Sequence, residues 1–362
     1  MDNTVLIVDD GKENVDALRA ILENDYNVMV ALSGEKALEL MNKNKPDCVL
    51  LDVLMPGLGG FDVITKMKDT KGLENIPVIF ITGATDTFNE TTGLKMGAVD
   101  YIFKPYDPDI VKIKVKNHIL NKMNRDNLEK LVDIRTRELS HSRRAVIVGM
   151  SLLAEGRDNG TGEHIKRMQK YTEILATYIH KHYPKILSAE ILRETVLYSP
   201  LHDIGKVCVP DNILLKKGRL TEDEFELIKT HTTFGTEVLR KTEHLITSST
   251  QTLMTAIEIC ESHHEKYNGT GYPNKLKGEQ IPISARIVAL ADVYDALTSV
   301  REYKAAYSHE EACRIILEGD GRTMPNHFAP EVLEAFQACD SEFRRVMESY
   351  TNKVSVTTAV SE

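Results

Sequence analysis

Short apolar runs alternate with amphipathic stretches in the first third of the chain. The runs are rich in β-branched residues and bounded by Asp, Gly or Pro; they are Val5–Val8, Cys48–Leu51, Val78–Ile81 and Val99–Phe103. Amphipathic segments such as Asn14–Glu23 and Gly34–Asn42 lie between them. Buried strands that alternate with helices indicate a parallel sheet covered on both faces. The pattern therefore predicts a doubly wound α/β domain.

The pattern changes near Pro108, where strand-like runs almost disappear. Residues 111–142 are charged and favour helix, and their apolar positions are only partly heptad-like. Two interpretations fit this segment: a coiled coil in a homodimer, or a last domain helix that continues as a solvated linker. From Ala145 onward the chain favours helices, apart from a Gly-rich loop at Asn268–Pro273. The small, polar end from Thr351 predicts a disordered tail.

Composition narrows the range of functions. The 362 residues are 42% hydrophobic and 27% charged, which fits two globular domains. A net charge of −9 argues against a protein that binds a nucleic-acid groove, although metal ions could still supply local positive charge for a phosphate. The five cysteines are scattered, which indicates reduced thiols and not disulfides or a thiolate zinc site. The start lacks a signal-peptide pattern and no apolar run approaches about 18 residues, so we expect a cytoplasmic protein that does not span a membrane.

Acidic residues follow two of the predicted strands. Asp9 and Asp10 come directly after the first run, and Asp52 follows Leu51. Because the carboxyl ends of parallel strands meet at one edge of a sheet, these carboxylates can converge on one Mg²⁺. An aspartate beside the ion can act as a nucleophile toward a phosphoryl group. Lys104 and Thr82, at other strand ends, could neutralise and hydrogen-bond that group.

The segments VLIVDD, LLDVLMPG, VIFITG and DYIFKP, in this order, resemble the response-regulator receiver domain over about residues 1–120. The resemblance implies a five-stranded, flavodoxin-like sheet and a histidine kinase as partner. It further implies that Asp52 is the phosphoacceptor and that Asp9 and Asp10 hold Mg²⁺ with the Asp52 carboxylate and the Leu54 carbonyl. Three residues would form the switch: Thr82, Tyr101 and Lys104.

Adjacent metal-ligating residues mark the second half of the chain. His202 precedes Asp203, and His263 precedes His264. Neighbours on a helix diverge by about 100°, so adjacent ligands suit two neighbouring ions better than one, with a carboxylate as the bridge. Paired ions activate water and stabilise the attacking and leaving oxygens at phosphorus. Mixed imidazole and carboxylate ligands favour Fe, Mn, Ni or Zn.

The succession RDNGTGEH, LHDIGK, KTHTTFG, HHEKYNGTGYP and ADVYDALTS resembles the HD-GYP subgroup of HD-domain phosphohydrolases over about residues 145–350. Members hydrolyse cyclic dinucleotides, usually cyclic di-GMP to linear pGpG and sometimes on to GMP, and some act on cyclic GMP–AMP. The resemblance implies metal ligands at His164, His202, Asp203, His231, His263, His264 and Asp292.

The same resemblance assigns further roles around these ligands. Lys206, one turn beyond Asp203, would reach a phosphate oxygen, and Asp295 would orient a ligand or relay a proton. The signature loop consists of Gly269, Gly271, Tyr272 and Pro273, whose glycines would let the backbone approach the substrate. Arg286 and Arg301 are candidate phosphate binders, although each could equally be a solvated surface residue.

The chain departs from the family pattern at several positions. Gly160 stands where some members with three metals have a glutamate, so we expect two divalent transition metals, Fe, Mn or Ni. Thr232 replaces a common proline, while Asn268 and Glu302 depart from the pattern near the expected base-binding rim. The last two changes leave the preference between the cyclic dinucleotides open.

Together these features predict an α/β receiver domain at 1–121, a helical linker at 122–144, an all-α HD-domain hydrolase at 145–350 and a disordered tail at 351–362. The expected activity is hydrolysis of cyclic di-GMP under the control of a receiver. One alternative is a phosphodiesterase that prefers 3′,3′-cyclic GMP–AMP, and another is a non-catalytic module that senses a dinucleotide or docks a second protein. A DNA-binding regulator is disfavoured by the acidic charge balance.

Overall fold

The computed structural model describes residues 3–83, 90–158, 162–245, 253–299 and 306–358, with the backbone alone for 90–92, 158, 244 and 351–358. The chain forms two compact units, Met1–Glu138 and Leu139–Glu362. Arg301 and two of the departures from the family pattern, Gly160 and Glu302, lie outside the described residues.

The first unit contains a five-stranded parallel sheet in the order β2-β1-β3-β4-β5. Its strands are β1 (Thr4–Val8), β2 (Asn27–Ala31), β3 (Cys48–Asp52), β4 (Val78–Gly83) and β5 (Asp100–Lys104). The helices that follow them are α1 (Lys12–Leu22), α2 (Gly34–Lys43), α3 (Gly60–Asp69), α4 (Glu90–Lys95) and α5 (Pro108–Glu155). Separate hydrophobic cores lie on the two faces of the sheet, which confirms the predicted doubly wound α/β fold.

The strand order brings the predicted acidic residues together. All five residues of the central strand β3 are buried, as expected for a parallel strand covered on both faces. β1 and β3 are neighbours, so Asp9 and Asp10 lie beside Asp52 at the carboxyl edge. No apolar run predicted β2, which is an edge strand whose residues Val28–Val30 are only partly buried.

The second unit is helical in its described part. Its α-helices are α6 (Glu163–His182), α7 (Ala189–Tyr198), α8 (Asp211–Leu214), α9 (Glu222–Leu245), α10 (Met254–Ser262), α11 (Ile283–Thr298), α12 (His309–Glu318), α13 (Pro330–Ala338) and α14 (Asp340–Thr358). A 3₁₀ helix, Ser199–Cys208, lies between α7 and α8. One hydrophobic core joins α6, α7, α10, α11, α12 and α13. This architecture confirms the predicted all-α second domain.

Two predicted segments coincide with parts of long helices. The predicted linker 122–144 lies inside α5, which continues from Pro108 to Glu155. The predicted disordered tail begins at Thr351, but the backbone of α14 stays helical to Thr358.

Candidate metal centre and phosphoacceptor site

The 3₁₀ helix Ser199–Cys208 holds His202 and Asp203 against α9. Both side chains are buried, with relative exposures of 0% and 8% for the residues. Gly205 permits this packing, because a Cβ there would lie 1.8 Å from the carbonyl oxygen of His231 and 2.6 Å from the amide nitrogen of Gly235. Any side chain at position 205 would therefore push the two elements apart.

Three buried histidines share one orientation. The Nδ1 atom of each lies at hydrogen-bond distance from a main-chain carbonyl of its own helical segment, and the distances are 2.8 Å for His202 to Ser199, 2.6 Å for His231 to Ile228 and 3.0 Å for His263 to Ile259. A carbonyl can only accept, so each Nδ1 carries the proton and each Nε2 presents a lone pair. Within the described part of the chain, these buried Nε2 atoms have no hydrogen-bond partner.

Asp203 lies between these imidazoles. Its Oδ2 is 3.2 Å from Nε2 of His202, and its Oδ1 is 3.2 Å from Nε2 of His231 and 3.8 Å from Nε2 of His263. Lys206 Nζ approaches Asp203 Oδ2 to 2.9 Å. The lone pair of a neutral imidazole and the negative charge of a carboxylate repel each other unless a cation lies between them. This set of donor atoms therefore fits bound metal ions.

The predicted ligands form two groups, as expected for two ions. Asp203, His231, His263 and His264 can bring one ligand atom each within 4.8 Å of one another. His164, His202 and Asp292 do the same in a second group. Asp203 is positioned to bridge the groups, because its Oδ2 also approaches His202. The structure therefore brings all seven predicted ligands together.

Burial keeps two of the imidazoles neutral. It lowers the pKa of His264 to about 4 and also lowers the pKa of His263, which nearby His264 and His202 reinforce. Burial would lower the pKa of His202 as well, but attraction to Asp203 outweighs it and raises that pKa to about 9. Neutral imidazoles are the form that ligates metals, and a bound cation would take the place of the proton on His202.

Asp295 is hydrogen-bonded to the predicted ligand His164 and to Arg167. Its Oδ2 lies 2.6 Å from Nδ1 of His164, while Nε of Arg167 lies 2.6 Å from its Oδ1. Burial would raise the pKa of Asp295, but hydrogen bonds from His164 and Arg167 lower it. Of the two predicted roles for Asp295, this geometry favours orientation of His164 over relay of a proton. Sequence reasoning missed Arg167, whose signal was its place one turn after His164.

Glu155 is a second residue that sequence reasoning missed. It ends α5 and is buried, with Oε1 3.4 Å from Nε2 of His164 and Oε2 without a hydrogen-bond partner in the described part of the chain. Burial raises the pKa of this carboxyl group, and His164 and His202 partly offset that shift. Glu155 could therefore provide one more oxygen ligand. It lies nine residues before His164, whereas the family pattern places a glutamate ligand four residues before that histidine.

The signature loop folds back on itself beside the cluster. A Cβ on Gly271 would lie 2.3 Å from the amide nitrogen of Lys266, so that glycine is required by the packing of the loop itself. The expected approach of the substrate to the backbone of the signature loop stays a prediction. The buried Glu265 carboxylate accepts hydrogen bonds from the amides of Asn274 and Leu276 at 2.6 and 3.0 Å. The Tyr272 ring lies against His264, with ring centroids 4.8 Å apart.

Arg286 is occupied by structural contacts. Its Nη1 lies 2.6 Å from the carboxylate of Glu331, and its Nε donates to the carbonyl of Ile281 at 2.7 Å. Both partners of the ion pair are largely buried. The contact joins α11 to α13 and leaves the expected phosphate-binding role without structural support.

The predicted phosphoacceptor site also assembles. Asp9, Asp10 and Asp52 can place one oxygen each within 4.8 Å of one another, as a divalent ion requires. Lys104 Nζ lies 2.9 Å from Asp9 Oδ2 and 2.7 Å from Asp52 Oδ2. Burial raises the pKa of Asp52 to about 6 although Lys104 lowers it. Thr82 is buried at the end of β4, next to β5.

Tyr101, the third residue of the predicted switch, lies on β5. Its ring lies 5.9 Å from that of Phe103 and has Lys114 Nζ at 5.9 Å from its centroid. Tyr101 is half-buried and packs against one of the two hydrophobic cores of the sheet. The acidic residues, Thr82 and Lys104 lie at the carboxyl edge of the sheet, whereas Tyr101 lies nearer the start of β5.

Comparisons with known proteins agree with both units. Residues 5–116 match the family profile described as response regulator receiver domain, and residues 158–324 match the profile described as HD domain. A "Probable cyclic di-GMP phosphodiesterase" of Vibrio cholerae is 42% identical over 97% of this chain and 81% of its own length. "Cyclic di-GMP phosphodiesterase response regulator RpfG" of Xanthomonas campestris is 31% identical over 91% of this chain and 86% of its own length.

A third relative carries a different substrate in its name. "3'3'-cGAMP-specific phosphodiesterase 2" of Vibrio cholerae is 34% identical over 62% of this chain and 39% of its own length. Among the described helices, none is both long and apolar enough to cross a membrane. The matched profiles and the full-length relatives show that this chain belongs to the family of response regulators in which a receiver domain precedes an HD-GYP phosphodiesterase domain.

Proposed function

We propose that the second unit binds two divalent transition metals, Fe, Mn or Ni, and hydrolyses cyclic di-GMP to linear pGpG. The single observation that carries this proposal is the convergence of three buried, unpartnered Nε2 atoms on the carboxylate of Asp203. In the described part of the chain, Asp203 Oδ1 is a fourth buried atom without a hydrogen-bond partner. An unsatisfied buried polar atom costs about 1–3 kcal/mol, so these four atoms at one point are sustained only if a ligand satisfies them. Bound cations would do so.

The chain's own residues prepare the site for a phosphodiester. Two divalent ions held there would ionise water and offset the negative charge of the phosphate. Lys206 adds a positive charge next to Asp203, where it can contact a phosphate oxygen as the 3′ oxygen leaves. Asp295, supported by Arg167, holds the imidazole of His164 in one orientation.

Aromatic residues next to the cluster support a nucleotide substrate. The Tyr272 ring, which contacts His264, is 6.4 Å from the ring of Phe225, and Phe225 is 46% exposed. Lys229 Nζ lies 4.8 and 5.4 Å from the centroids of Phe225 and Tyr272. Stacking of a base on such a ring contributes about 1–3 kcal/mol and tolerates either purine.

Cyclic GMP–AMP is the second candidate substrate. The name of one relative favours it, and Asn268 stands near the rim of the loop. The Asn268 carboxamide is bound to Thr270 and Asn326, so it is held in place beside the signature glycines. A non-catalytic binding module is disfavoured because all seven predicted ligands converge.

Phosphorylation of Asp52 would control this activity. Asp52 and Lys104 form the phosphoacceptor site, and α5 continues from the receiver unit to Glu155, next to His164. A change in the position of α5, through altered pairing of receivers in a homodimer, would reach the metal ligands through Glu155. A histidine kinase would supply the phosphoryl group.

The test is a parallel turnover assay on metal-loaded protein. Purified protein with Mn²⁺ or Fe²⁺ should convert cyclic di-GMP to pGpG faster than it converts cyclic GMP–AMP, as measured by chromatography. His202→Ala and Asp203→Ala should abolish turnover, whereas His182→Ala, on an exposed histidine of α6, should not. Full turnover in either cluster variant, or conversion of neither dinucleotide, would refute the proposal. Equal turnover by phosphorylated protein and by Asp52→Ala would refute the control by phosphorylation.

A further inference from the structure

A separate set of metal-ligating side chains lies on α12 and α14. His309 is the first residue of α12, Cys313 follows one helical turn later on the same face, and Asp340 begins α14. His309 Nε2 is 2.8 Å from Asp340 Oδ1, and Cys313 Sγ is 3.6 Å from His309 Nε2 and 3.4 Å from Asp340 Oδ1. None of these residues belongs to the histidine cluster of the proposed hydrolase site.

The separations of the three atoms match a tetrahedral zinc site. With Zn–S near 2.3 Å and Zn–N and Zn–O near 2.0 Å, tetrahedral angles place sulfur about 3.5 Å from the other two ligand atoms and nitrogen about 3.3 Å from oxygen. The observed sulfur distances of 3.6 and 3.4 Å already fit. Only the pair His309 Nε2 and Asp340 Oδ1, at 2.8 Å, would have to open, by about half an ångström.

The imidazole of His309 is oriented as a metal ligand. Its Nδ1 lies 2.7 Å from the hydroxyl of Tyr294, and both residues are buried, with exposures of 1% and 0%. The Tyr294 ring packs edge-on against Phe336 and Phe343, which fixes the hydroxyl in place. A hydrogen bond at Nδ1 that directs Nε2 toward the other ligands is the usual arrangement around a metal-bound histidine.

Solvent can reach the cluster from the side of Asp340. The side chain of Asp340 is 52% exposed, while that of His309 is 1% exposed. An entering ion would meet the carboxylate first, and a water molecule could fill a fourth position. One thiolate and one carboxylate would balance the two positive charges of the ion, with a neutral imidazole as the third ligand.

A role of Cys313 as a nucleophile fits these residues less well than metal binding does. Burial and the nearby Asp340 carboxylate together raise the pKa of Cys313 to about 12. A thiol with such a pKa is protonated at neutral pH and is a weak nucleophile. Asp340 lies beside the sulfur itself at 3.4 Å, where a carboxylate opposes ionisation and where a cation would fit instead.

We propose that His309 Nε2, Cys313 Sγ and Asp340 Oδ1 bind one Zn²⁺ ion that joins the start of α12 to the start of α14. A Zn–S bond replaces the S–H bond of Cys313 on binding, and the proton passes to solvent. The scattered cysteines had argued against a thiolate zinc site, because Cys313 belongs to no zinc motif and Asp340 lies 27 residues after it.

Cobalt(II) spectroscopy of the full chain under reducing conditions tests the proposal. Cobalt(II) in a site with a thiolate ligand produces a near-ultraviolet charge-transfer band, and the histidine cluster contains no cysteine among its ligand groups. With cobalt(II) in excess, the wild-type protein should develop this band with the amplitude of one thiolate-bound ion per chain, because the histidine cluster would take up cobalt as well. Cys313→Ser should lose the whole band. Without added metal it should keep the wild-type circular dichroism melting curve, and its phosphodiesterase turnover should be unchanged.

Matched cysteine variants make the result specific. Cys208→Ser, on an exposed cysteine, and Cys260→Ser, on a cysteine whose sulfur contacts the carbonyl of Thr232, should keep the full band. Asp340→Ala, on an exposed side chain, should weaken cobalt binding at least tenfold. The proposal is overturned if the wild type shows no band, if Cys313→Ser keeps it, or if it depends on Cys208 or Cys260. A failure of the hydrolase proposal would leave this band unchanged.

Discussion

Replacing Asp295 by asparagine tests whether a residue outside the ligand set controls how well the metal is held. In the wild type, Asp295 Oδ2 lies 2.6 Å from His164 Nδ1 and 3.0 Å from Arg167 Nη2, and Oδ1 lies 2.6 Å from Arg167 Nε. Asparagine has one oxygen, so its NH₂ group must face a donor of either His164 or Arg167. At least one charge-assisted hydrogen bond is therefore replaced by a contact between donors.

The size of the effect follows from the role of such partners. Loss of a group that orients a metal-bound histidine lowers metal affinity about 10–100-fold, which corresponds to about 1.4–2.8 kcal/mol. Asp295→Asn should therefore shift the Mn²⁺ concentration that gives half-maximal turnover upward by that factor. Turnover at saturating Mn²⁺ should recover to within about tenfold of the wild type, because the ligands themselves remain.

The assay is turnover as a function of free Mn²⁺, with metal binding measured independently by calorimetry. Glu334→Gln is a matched control, because the Glu334 carboxylate also accepts two side-chain hydrogen bonds, from Tyr178 and Tyr183, on the surface of α13. An unchanged Mn²⁺ dependence in Asp295→Asn would refute the orienting role. A loss that no Mn²⁺ concentration restores would instead make Asp295 a direct participant in the reaction.

Three further changes have defined outcomes. Gly205→Ala should destabilise the second unit by at least about 3 kcal/mol in urea unfolding, because its Cβ would lie 1.8 Å from the His231 carbonyl oxygen. Lys206→Met should lower kcat about 10²–10³-fold with a smaller change in KM, whereas an unchanged kcat would exclude its contact with the phosphate. Since burial raises the pKa of Asp52 to about 6, its protonated form favours folding; this contribution is complete below about pH 4 and is lost as pH rises through 6. Asp52→Asn should therefore raise the free energy of unfolding at pH 7 by about 3 kcal/mol but leave it nearly unchanged near pH 4, which denaturation at both pH values would check.

The receiver site could be read from the sequence because its residues follow strands. Asp9 and Asp52 each end an apolar run, and neighbouring parallel strands bring such ends together without detailed packing. The edge strand β2 was not predicted, because fully buried strands produce continuous apolar runs whereas Val28–Val30 are half-buried. The predicted helical linker is part of α5. Periodicity identifies a helix but does not show where a domain ends, so the domain boundaries within it stay a prediction.

Contacts between distant segments could not be read in the same way. Arg286 looked like a phosphate ligand, but its partner Glu331 lies 45 residues later on α13. Glu155 gave no signal, because its approach to His164 depends on how the end of α5 packs and not on a motif spacing. Such pairs form only after the helices have docked, so local patterns carry little information about them.

The histidines of the predicted ligand set carry a local signal, because each segment orients its own histidine. His202 and His231 turn their Nδ1 atoms to the carbonyl three residues earlier, and His263 bonds the carbonyls three and four residues earlier. In a 3₁₀ helix residues three apart eclipse, so the helix that orients His202 also places Lys206 directly over Asp203. Each helical segment therefore contains both a predicted ligand and, three or four residues before it, the carbonyl that fixes its tautomer. The docking of the segments then brings imidazoles together that are already oriented. Residues that act between segments, such as Asp295 on His164, have no local partner, and that is why their roles needed the structure.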